Sequence, residues 1–379
     1  MLNEEKAVKF YQLLEKVKDT RDRRGKRHNL SFIITSTILA ILSGRTFMSS
    51  IHRYITNHIE WLKEILERPE AFAVSRSQLP RILASVDFDE LNQYIEEFFG
   101  IHIERHEGEW QAIDGKTLRG TITDKRNSAH ENEKIVTVVG HKSEQTTHQR
   151  PINYGESSEI IVVRELLEET DLSSQKITLD SLHTQVNTLS VINSDDGQYI
   201  VQVKKNQPRL INVLESVSQT HLPLHTITTR EKNHGRLEVR RATFFSLENV
   251  IFDDKWEDCG FKTLIYMERD RVELKTGEYS EGQYYYLSNQ ESDGRERELF
   301  TAIREHWQVE VNNHIRDVTL KEDDAKTKNK NLGQIYSLLR TVALNIIKEI
   351  APGNVVKAMD KFSDKPHFFI SRLVKFNFF

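Results

Sequence analysis

Apolar positions recur with helical spacing through the first hundred residues. The segment LSFIITSTILAIL (Leu30–Leu42) is apolar on every side, which predicts a buried core helix. It is shorter than the roughly 18 apolar residues that would indicate a membrane span. Further helical patterns run over Ser49–Leu66 and Phe88–Phe99. Residues 1–100 are therefore predicted to form an all-helical domain.

Beyond Gly100 the pattern changes to short apolar runs that alternate with helices. Predicted strands precede Asp114, cover Lys134–His141, and comprise the runs KITL and YIVQV. Strands that alternate with helices predict an α/β sheet covered on both faces. Residues 221–289 are strand-rich and residues 295–350 return to a helical pattern. The sequence thus predicts a core domain over 101–350, interrupted at about 221–289 by a β-rich insertion.

The C-terminal stretch, 351–379, mixes basic and aromatic side chains. Phe362, Phe368 and Phe369 lie among lysines and arginines. Such a tail can dock on nucleic acid or pack as a helix on the core, and packing is slightly favoured.

Composition narrows the class of protein without deciding it. The chain has 53 Lys+Arg against 57 Asp+Glu, a formal net charge of −4. This total gives no support to a polybasic nucleic-acid binder, although a net charge averages over local patches. The single cysteine, Cys259, excludes an intramolecular disulfide framework and a cysteine-cluster zinc site. With a charged N-terminal segment that lacks a signal-peptide pattern, the protein is expected to be cytoplasmic, with no membrane partner.

Three carboxylates carry the candidate chemistry. Asp114 and Asp180 each follow a short apolar strand, and Glu310 lies within a helical pattern. A strand-end Asp can simply cap the next turn. If the two strands are adjacent, however, the carboxylates converge and their repulsion needs a cation. With a third carboxylate, such a site could hold two Mg²⁺ ions for phosphodiester chemistry.

Five motifs occur along the chain in this order: AIDGKTLRG, ITLDSLHTQ, YIVQVKKNQ, HGRLEVRR and REHWQVE. In this order they resemble the DDE-type insertion-sequence transposases of the H-repeat-associated family. The resemblance implies a ribonuclease-H-like mixed sheet flanked by helices, preceded by a transposase-associated domain. It also implies that Asp114, Asp180 and Glu310 form the metal-binding catalytic triad. The residues after Glu310 depart from the family pattern, so Glu305 and Glu322 remain competitors for the third position.

The family resemblance implies a DNA transposase that cuts transposon ends and transfers the 3′ ends to target DNA. The implied cofactor is Mg²⁺ at a two-metal site, with Mn²⁺ able to substitute. The implied partners are double-stranded DNA with terminal inverted repeats and a target duplex, bound by a homodimer in a bacterial cytoplasm, associated with the nucleoid. The alternative is a transposase-derived DNA-binding protein without cleavage activity.

Basic side chains in four places are candidate DNA contacts. They are Arg21, Arg23, Arg24, Lys26 and Arg27 near the N-terminus, Lys116 beside the first Asp, Lys204 and Lys205 after a strand, and Arg236 and Arg240 in the insertion. The Lys204–Lys205 pair could instead be a solvated loop. Arg236, Glu238 and Arg240 share a strand face and could instead form a surface ion-pair ladder. His183 and His306 are predicted to support the carboxylates, and Trp307 is predicted to be a packing residue.

Overall fold

The computed structural model describes residues 9–102, 108–121, 133–152, 157–233 and 235–379. Fourteen α-helices lie in these ranges: α1 Phe10–Lys16, α2 Leu30–Leu42, α3 Met48–Asn57, α4 Ile59–Ile65, α5 Gln78–Leu83, α6 Phe88–His102, α7 Glu159–Glu168, α8 Val186–Ser194, α9 Pro208–Thr220, α10 Glu296–Glu305, α11 Gln308–His314, α12 Lys330–Ile350, α13 Val355–Asp364 and α14 Pro366–Lys375. Nine strands lie there too: β1 Trp110–Leu118, β2 Glu133–Gly140, β3 Thr146–Ile152, β4 Lys176–Leu179, β5 Gln198–Val203, β6 His225–Asn233, β7 Arg236–Ser246, β8 Thr263–Glu273 and β9 Tyr279–Ser288.

All nine strands form one mixed sheet in the order β3-β2-β1-β4-β5-β9-β8-β7-β6. Strand β1 is parallel to β4, and β4 is parallel to β5, whereas β2 runs antiparallel to β1. Helices α7, α8 and α9 follow strands of this sheet and contribute to its larger apolar core. The predicted fold class, a mixed sheet flanked by helices, is confirmed.

The β-rich insertion extends the core sheet. Strand β9 pairs antiparallel with β5, and β8, β7 and β6 follow as an antiparallel meander. Helix α10 covers the half of this extension nearest the core, because Leu299, Phe300 and Ile303 pack on Phe244 and Ile265. The more distant half of the same face is charged and open.

The helical domain is assembled from both ends of the chain. Every residue of α2 is buried, as its all-round apolar sequence predicts. Helices α12, α13 and α14 share one apolar core with α1–α6. In α13 and α14, the rings of Phe362 and Phe369 stack on each other and Phe369 is buried. The C-terminal segment therefore packs against the N-terminal helices, with Phe368 half exposed at its surface.

Helix α12 joins this domain to the sheet through polar contacts. Asn345 accepts a hydrogen bond from the Thr146 amide (3.0 Å) and donates one to the Thr146 carbonyl (2.9 Å). Gln149 Nε2 donates to Ser337 Oγ (3.2 Å). The side of α12 that faces edge strand β3 thus carries polar side chains that form hydrogen bonds with the polar groups of this strand.

Strand β3 (TTHQRPI) is not among the strands predicted from the sequence, because an edge strand needs no continuous apolar run and this one contains Pro151. One prediction about the helices was wrong. The helix expected to continue through Glu310 breaks at His306–Trp307, between α10 and α11. Within the described ranges, no helix combines the length and the apolar character needed to cross a membrane.

Candidate active site

Asp114 and Asp180 lie side by side at the edge of the sheet. Ile113 on β1 pairs with Leu179 on the parallel strand β4, and the two aspartates are the next residues on each chain segment. The carboxyl ends of neighbouring parallel strands are where ligands bind in open α/β sheets. Asp180 also caps the following turn, since its Oδ1 accepts a hydrogen bond from the Leu182 amide (2.9 Å). Asp180 therefore caps this turn and also lies beside Asp114.

Glu310 reaches the same region from helix α11. Val309 anchors this helix on the sheet, where it packs with Ala112 of β1 and Val139 of β2. On the same helix, Asn313 Nδ2 lies 3.4 Å from Asp114 Oδ2. Glu310 itself is exposed, and the Trp307 indole N–H donates to its Oε2.

A fourth carboxylate, Glu159, lies in the site and was missed by sequence reasoning. It opens helix α7, and its carboxylate occupies the space beside Gly115 in which a Cβ atom would stand, 2.1–2.6 Å from that position. The nearest ring nitrogen of His183, Nε2, lies 3.4 Å from Glu159 Oε1. A glutamate in the first turn of a helix is common, so no signal in the sequence distinguished it.

Asp114, Glu159, Asp180 and Glu310 are called the carboxylate cluster below. Burial raises the pKa of Asp114 to about 7, and the negative charges of Glu159, Asp180 and Glu310 push it in the same direction. A carboxyl group that titrates near neutrality among other carboxylates lacks a compensating positive charge.

The two competing glutamates lie in other surroundings. Glu305 is partly buried and its Oε2 lies 3.8 Å from His141 Nδ1. Glu322 is buried and paired with Arg316 (3.0 Å) and Lys116 (3.3 Å). Neither is among the charges that raise the pKa of Asp114, whereas Glu310 is. The charges that act on Asp114, together with the separate partners of Glu305 and Glu322, thus favour Glu310 as the third carboxylate.

The two predicted supporting histidines occupy different places. The His183 side chain is fully buried and lies against Glu159, and its backbone amide donates to the Asp180 carbonyl (3.2 Å). His306 Nδ1 lies 2.8 Å from Thr178 Oγ1, which in turn lies 3.0 Å from His141 Nε2. Burial lowers the pKa of His306 to about 4 and that of His141 to about 3, so both rings are neutral at pH 7. This buried chain joins the end of β4 to the junction before α11.

Lys116 was predicted to contact DNA, and the structure contradicts this. Its side chain is only 4% exposed, and its ammonium pairs with Asp317 and with Glu322. Residues 315–319 form one π-helical turn, which directs Arg316 inward and Asp317 towards Lys116. Together with Arg340, which is buried on α12, these residues form what is called the ion-pair network below.

Among the N-terminal basic residues, Arg21 differs from its neighbours. It is 9% exposed, pairs with Asp19 (2.6 Å) and donates to the His28 carbonyl (2.7 Å), so it stabilises the turn and is withdrawn from solvent. The other predicted contacts in this segment are exposed: Arg23, Arg24, Lys26 and Arg27.

Lys204 and Lys205 lie close to the carboxylate cluster. Both are exposed in the turn after β5. The next residue, Asn206, donates a hydrogen bond to the Ser181 carbonyl (2.7 Å), one residue beyond Asp180. This contact holds the two lysines beside the turn that carries Asp180.

A groove of about 520 Å³ runs from Glu310 and Trp307 across the open face of the β-rich extension. It is called the arginine groove here. It presents five guanidinium groups, from Arg236, Arg240, Arg269, Arg271 and Arg304. Three glutamates bridge them in pairs: Glu231 contacts Arg240 and Arg304, Glu238 contacts Arg240 and Arg269, and Glu273 contacts Arg236 and Arg271. Of the expected ladder, the pair between Glu238 and Arg240 is present, whereas Arg236 pairs with Glu273 on the next strand.

The donor set of the carboxylate cluster suits a hard divalent cation, because carboxylate oxygens are the ligands that Mg²⁺ prefers. The raised pKa of Asp114 reflects the same excess of negative charge. As the side chains stand, no three His, Cys, Asp or Glu residues of the described ranges are close enough together to surround an ion.

Comparison with known protein families identifies the class of protein. A model of the "Transposase DDE domain" family matches residues 106–346, and a "DDE_Tnp_1-associated" model matches residues 11–99. The chain belongs to the DDE transposase family.

Its curated relatives include H-repeat-associated members, which confirms the resemblance seen in the sequence. "Putative transposase YncI" of Escherichia coli O157:H7 is 27% identical over 88% of this chain and 85% of its own length. "H repeat-associated putative transposase YhhI" of E. coli K12 is 27% identical over 89% of this chain and 90% of its own length. A solved piggyBac transposase synaptic complex with hairpin DNA aligns over 97% of this chain and 78% of that chain, with a TM-score of 0.46 and 13% identity.

Proposed function

We propose that the protein is a metal-dependent DNA transposase that cuts the ends of a transposon and joins the 3′ ends to target DNA. The observation that carries this proposal is the convergence of Asp114 and Asp180 at adjacent strand ends, with Glu310 supplied by α11. Family membership supports the same activity. The second hypothesis is a transposase-derived protein that binds DNA without cutting it.

In this proposal Asp114, Asp180 and Glu310 hold Mg²⁺ or Mn²⁺, and Glu159 adds a fourth carboxylate beside Asp114. When bound, two such ions activate the attacking oxygen and stabilise the leaving oxygen of the phosphodiester. Asn313 holds the carboxylate of Asp114, and the Trp307 indole holds that of Glu310. These contacts limit the reorganisation that the carboxylates need when they bind a cation.

Basic groups on three surfaces supply the DNA contacts of the proposal. Arg23, Arg24, Lys26 and Arg27 contact the phosphates of the terminal inverted repeat. Lys204 and Lys205 contact phosphates next to the scissile bond, since their turn adjoins Asp180. Arg236 and Arg240 contribute through the arginine groove. Because two transposon ends must be brought together, the working form is proposed to be a homodimer.

The test is cleavage of a labelled duplex that carries an end of the encoding element and its flanking DNA, in Mg²⁺. The intact protein is expected to nick at the boundary and, given a target duplex, to join the 3′ end to it. Asp180→Asn should lower the cleavage rate by at least about 10³-fold, because electrostatic stabilisation of the transition state is lost.

Asp196→Asn is the matched control. Asp196 is exposed at the turn before β5 and has φ = 56°, a backbone conformation that Asn tolerates. This variant should cut at the wild-type rate. Cleavage that survives Asp180→Asn contradicts the catalytic assignment, and specific binding without cleavage by the intact protein favours the second hypothesis.

A further inference from the structure

The arginine groove combines fixed positive charge with aromatic surface. Every guanidinium group in it has a glutamate partner, yet five guanidiniums stand against three bridging carboxylates. The distances include 2.8 Å between Arg240 and Glu238 and 2.7 Å between Arg304 and Glu231. Each shared glutamate holds two planar forks in place, so less side-chain entropy is lost when an anion binds.

Aromatic rings lie along the same groove. Tyr284 and Tyr286 are partly exposed on β9, and the guanidinium of Arg269 lies over the Tyr284 ring at 5.4 Å from its centre. Trp307 stands where the groove meets Glu310 and is 63% exposed. The sequence-based expectation that Trp307 is a packing residue is therefore wrong, because the break between α10 and α11 turns its ring to solvent.

An exposed tryptophan beside a cluster of arginines is a binding surface with defined chemistry. Guanidinium groups contact phosphates, and aromatic rings stack on bases of any sequence. A duplex keeps its bases paired and covered, and so presents mainly sugar and phosphate to the three rings. A strand with unpaired bases offers both partners at once.

We propose that the arginine groove binds an unpaired DNA strand that leads away from the carboxylate cluster, with its phosphates on the arginines and a base stacked on Trp307. This inference rests on the proposed function, because it takes the strand to be part of the DNA that is cut at Glu310. It names the form of that substrate as locally single-stranded next to the site.

The test measures binding without catalysis. Fluorescence anisotropy in EDTA compares a labelled single strand of about 12 nucleotides with a blunt duplex of the same sequence. Trp307→Ala should weaken single-strand binding by about 10-fold, since stacking on one ring is worth about 1–3 kcal/mol. Trp307→Phe keeps a stacking ring and loses only the N–H bonded to Glu310, so it should bind the strand nearly as the wild type does.

Arg269→Ala tests the phosphate contacts. It leaves Glu238 paired with Arg240, so no carboxylate is stranded. The slope of log affinity against log salt should decrease by about 0.7 for the single strand, as expected for one lost phosphate contact. Arg241→Ala is the matched control, because Arg241 lies on the neighbouring strand β7 and on the opposite face of the sheet, 56% exposed and paired with Glu268. It should leave the slope unchanged.

Several outcomes overturn the inference. They are equal losses for Arg241→Ala and Arg269→Ala, equal losses on the duplex and the single strand, or no single-strand binding by the intact protein. Circular dichroism and melting curves confirm that each variant is folded. Because the assay runs without metal, its result is independent of cleavage. Strand binding in a protein that never cuts would refute the proposed function and leave only the groove's affinity for an unpaired strand, whereas cutting without strand binding would refute this inference alone.

Discussion

Strand β1 carries residues of two groups of charged side chains. The two groups differ in how their buried negative charge is compensated. Asp114 belongs to the carboxylate cluster, and Lys116, two residues later on the same face of the strand, belongs to the ion-pair network. In the network, Arg316, Lys116 and Arg340 surround Glu322, and their charges lower its pKa even though burial acts to raise it. In the cluster, carboxylates surround carboxylates, and the pKa of Asp114 rises to about 7.

The difference separates a structural site from a candidate functional one. The network is closed: Arg340 donates to the carbonyls of Leu320 (3.0 Å) and Thr46 (3.0 Å), which connects the sheet to the N-terminal helices. The positive charge that compensates Glu322 comes from the protein's own Arg316, Lys116 and Arg340. The carboxylate cluster includes a residue of the same strand, but no basic side chain of the described ranges is among the groups that shift the pKa of Asp114. This arrangement is expected of a site that takes its positive charge from solution.

Removing Glu322 should have the largest effect on stability. Glu322→Gln leaves Arg316 and Lys116 buried beside an uncharged group, and breaking a buried pair costs about 3–5 kcal/mol. Glu310→Gln, at an exposed glutamate of the carboxylate cluster, should change the free energy of unfolding by less than about 0.5 kcal/mol. Chemical denaturation followed by tryptophan fluorescence measures both. Equal destabilisation by the two variants would erase the distinction between the two groups.

Mg²⁺ should stabilise the protein through the carboxylate cluster alone. At an Mg²⁺ concentration about 100 times its dissociation constant, the folded state gains about 2.7 kcal/mol. Asp180→Asn should remove most of this gain, whereas Asp196→Asn should keep it. The shift of the melting temperature on adding Mg²⁺ is the measurement. An undiminished shift in Asp180→Asn would place the bound ion elsewhere.

The sequence predicted the parts of this comparison that depend on local pattern. Asp114 and Asp180 were found because each ends an apolar run, and parallel pairing then brings them together. Lys116 was misassigned because spacing cannot show that a lysine two residues from Asp114 turns into a buried network. Its partners Asp317 and Glu322 are about 200 residues away in sequence, and Asp317 is presented by a π-helical turn.

Glu159 and Trp307 were beyond sequence reasoning for different reasons. Glu159 reaches the site only because Gly115 has no side chain, a tertiary contact between β1 and α7. Trp307 looked like part of a continuous helix, where its spacing suited packing, and the break between α10 and α11 exposes it. Residue pattern predicts elements well, but it does not predict where an element bends or which distant group fills a gap.

The two groups should respond to pH with opposite signs. The pKa of Asp114 is raised from 3.8 to about 7, so the folded state binds more protons than the unfolded state in that window, and its contribution to stability falls as the pH rises. Glu322 has a lowered pKa, so it stabilises the fold above its unfolded value of about 4.5 and loses this effect as the pH falls through its folded pKa.

Asp114→Asn isolates the first of these effects. In the absence of metal, this variant should be more stable than the wild type at pH 8 by roughly 1–2 kcal/mol, given that one pKa unit corresponds to about 1.4 kcal/mol. At pH 4 the two proteins should be nearly equal, because the wild-type carboxyl is then largely protonated. Melting curves across this pH range test it, and a variant that is less stable at pH 8 than at pH 4 relative to the wild type contradicts the assignment.

The smallest expected effect concerns how Glu159 enters the carboxylate cluster. Glu159→Gln should weaken Mg²⁺ binding by roughly 10-fold, the lower range seen when a group around a metal site is altered. Gly115→Ala should act in the same direction with all carboxylates retained, because its Cβ would stand within 2.6 Å of the Glu159 carboxylate and displace it. Glu165→Gln, at an exposed position of the same helix, is the control. If Gly115→Ala leaves Mg²⁺ affinity unchanged while Glu159→Gln lowers it, Glu159 acts through its charge alone, and its position against β1 is unimportant.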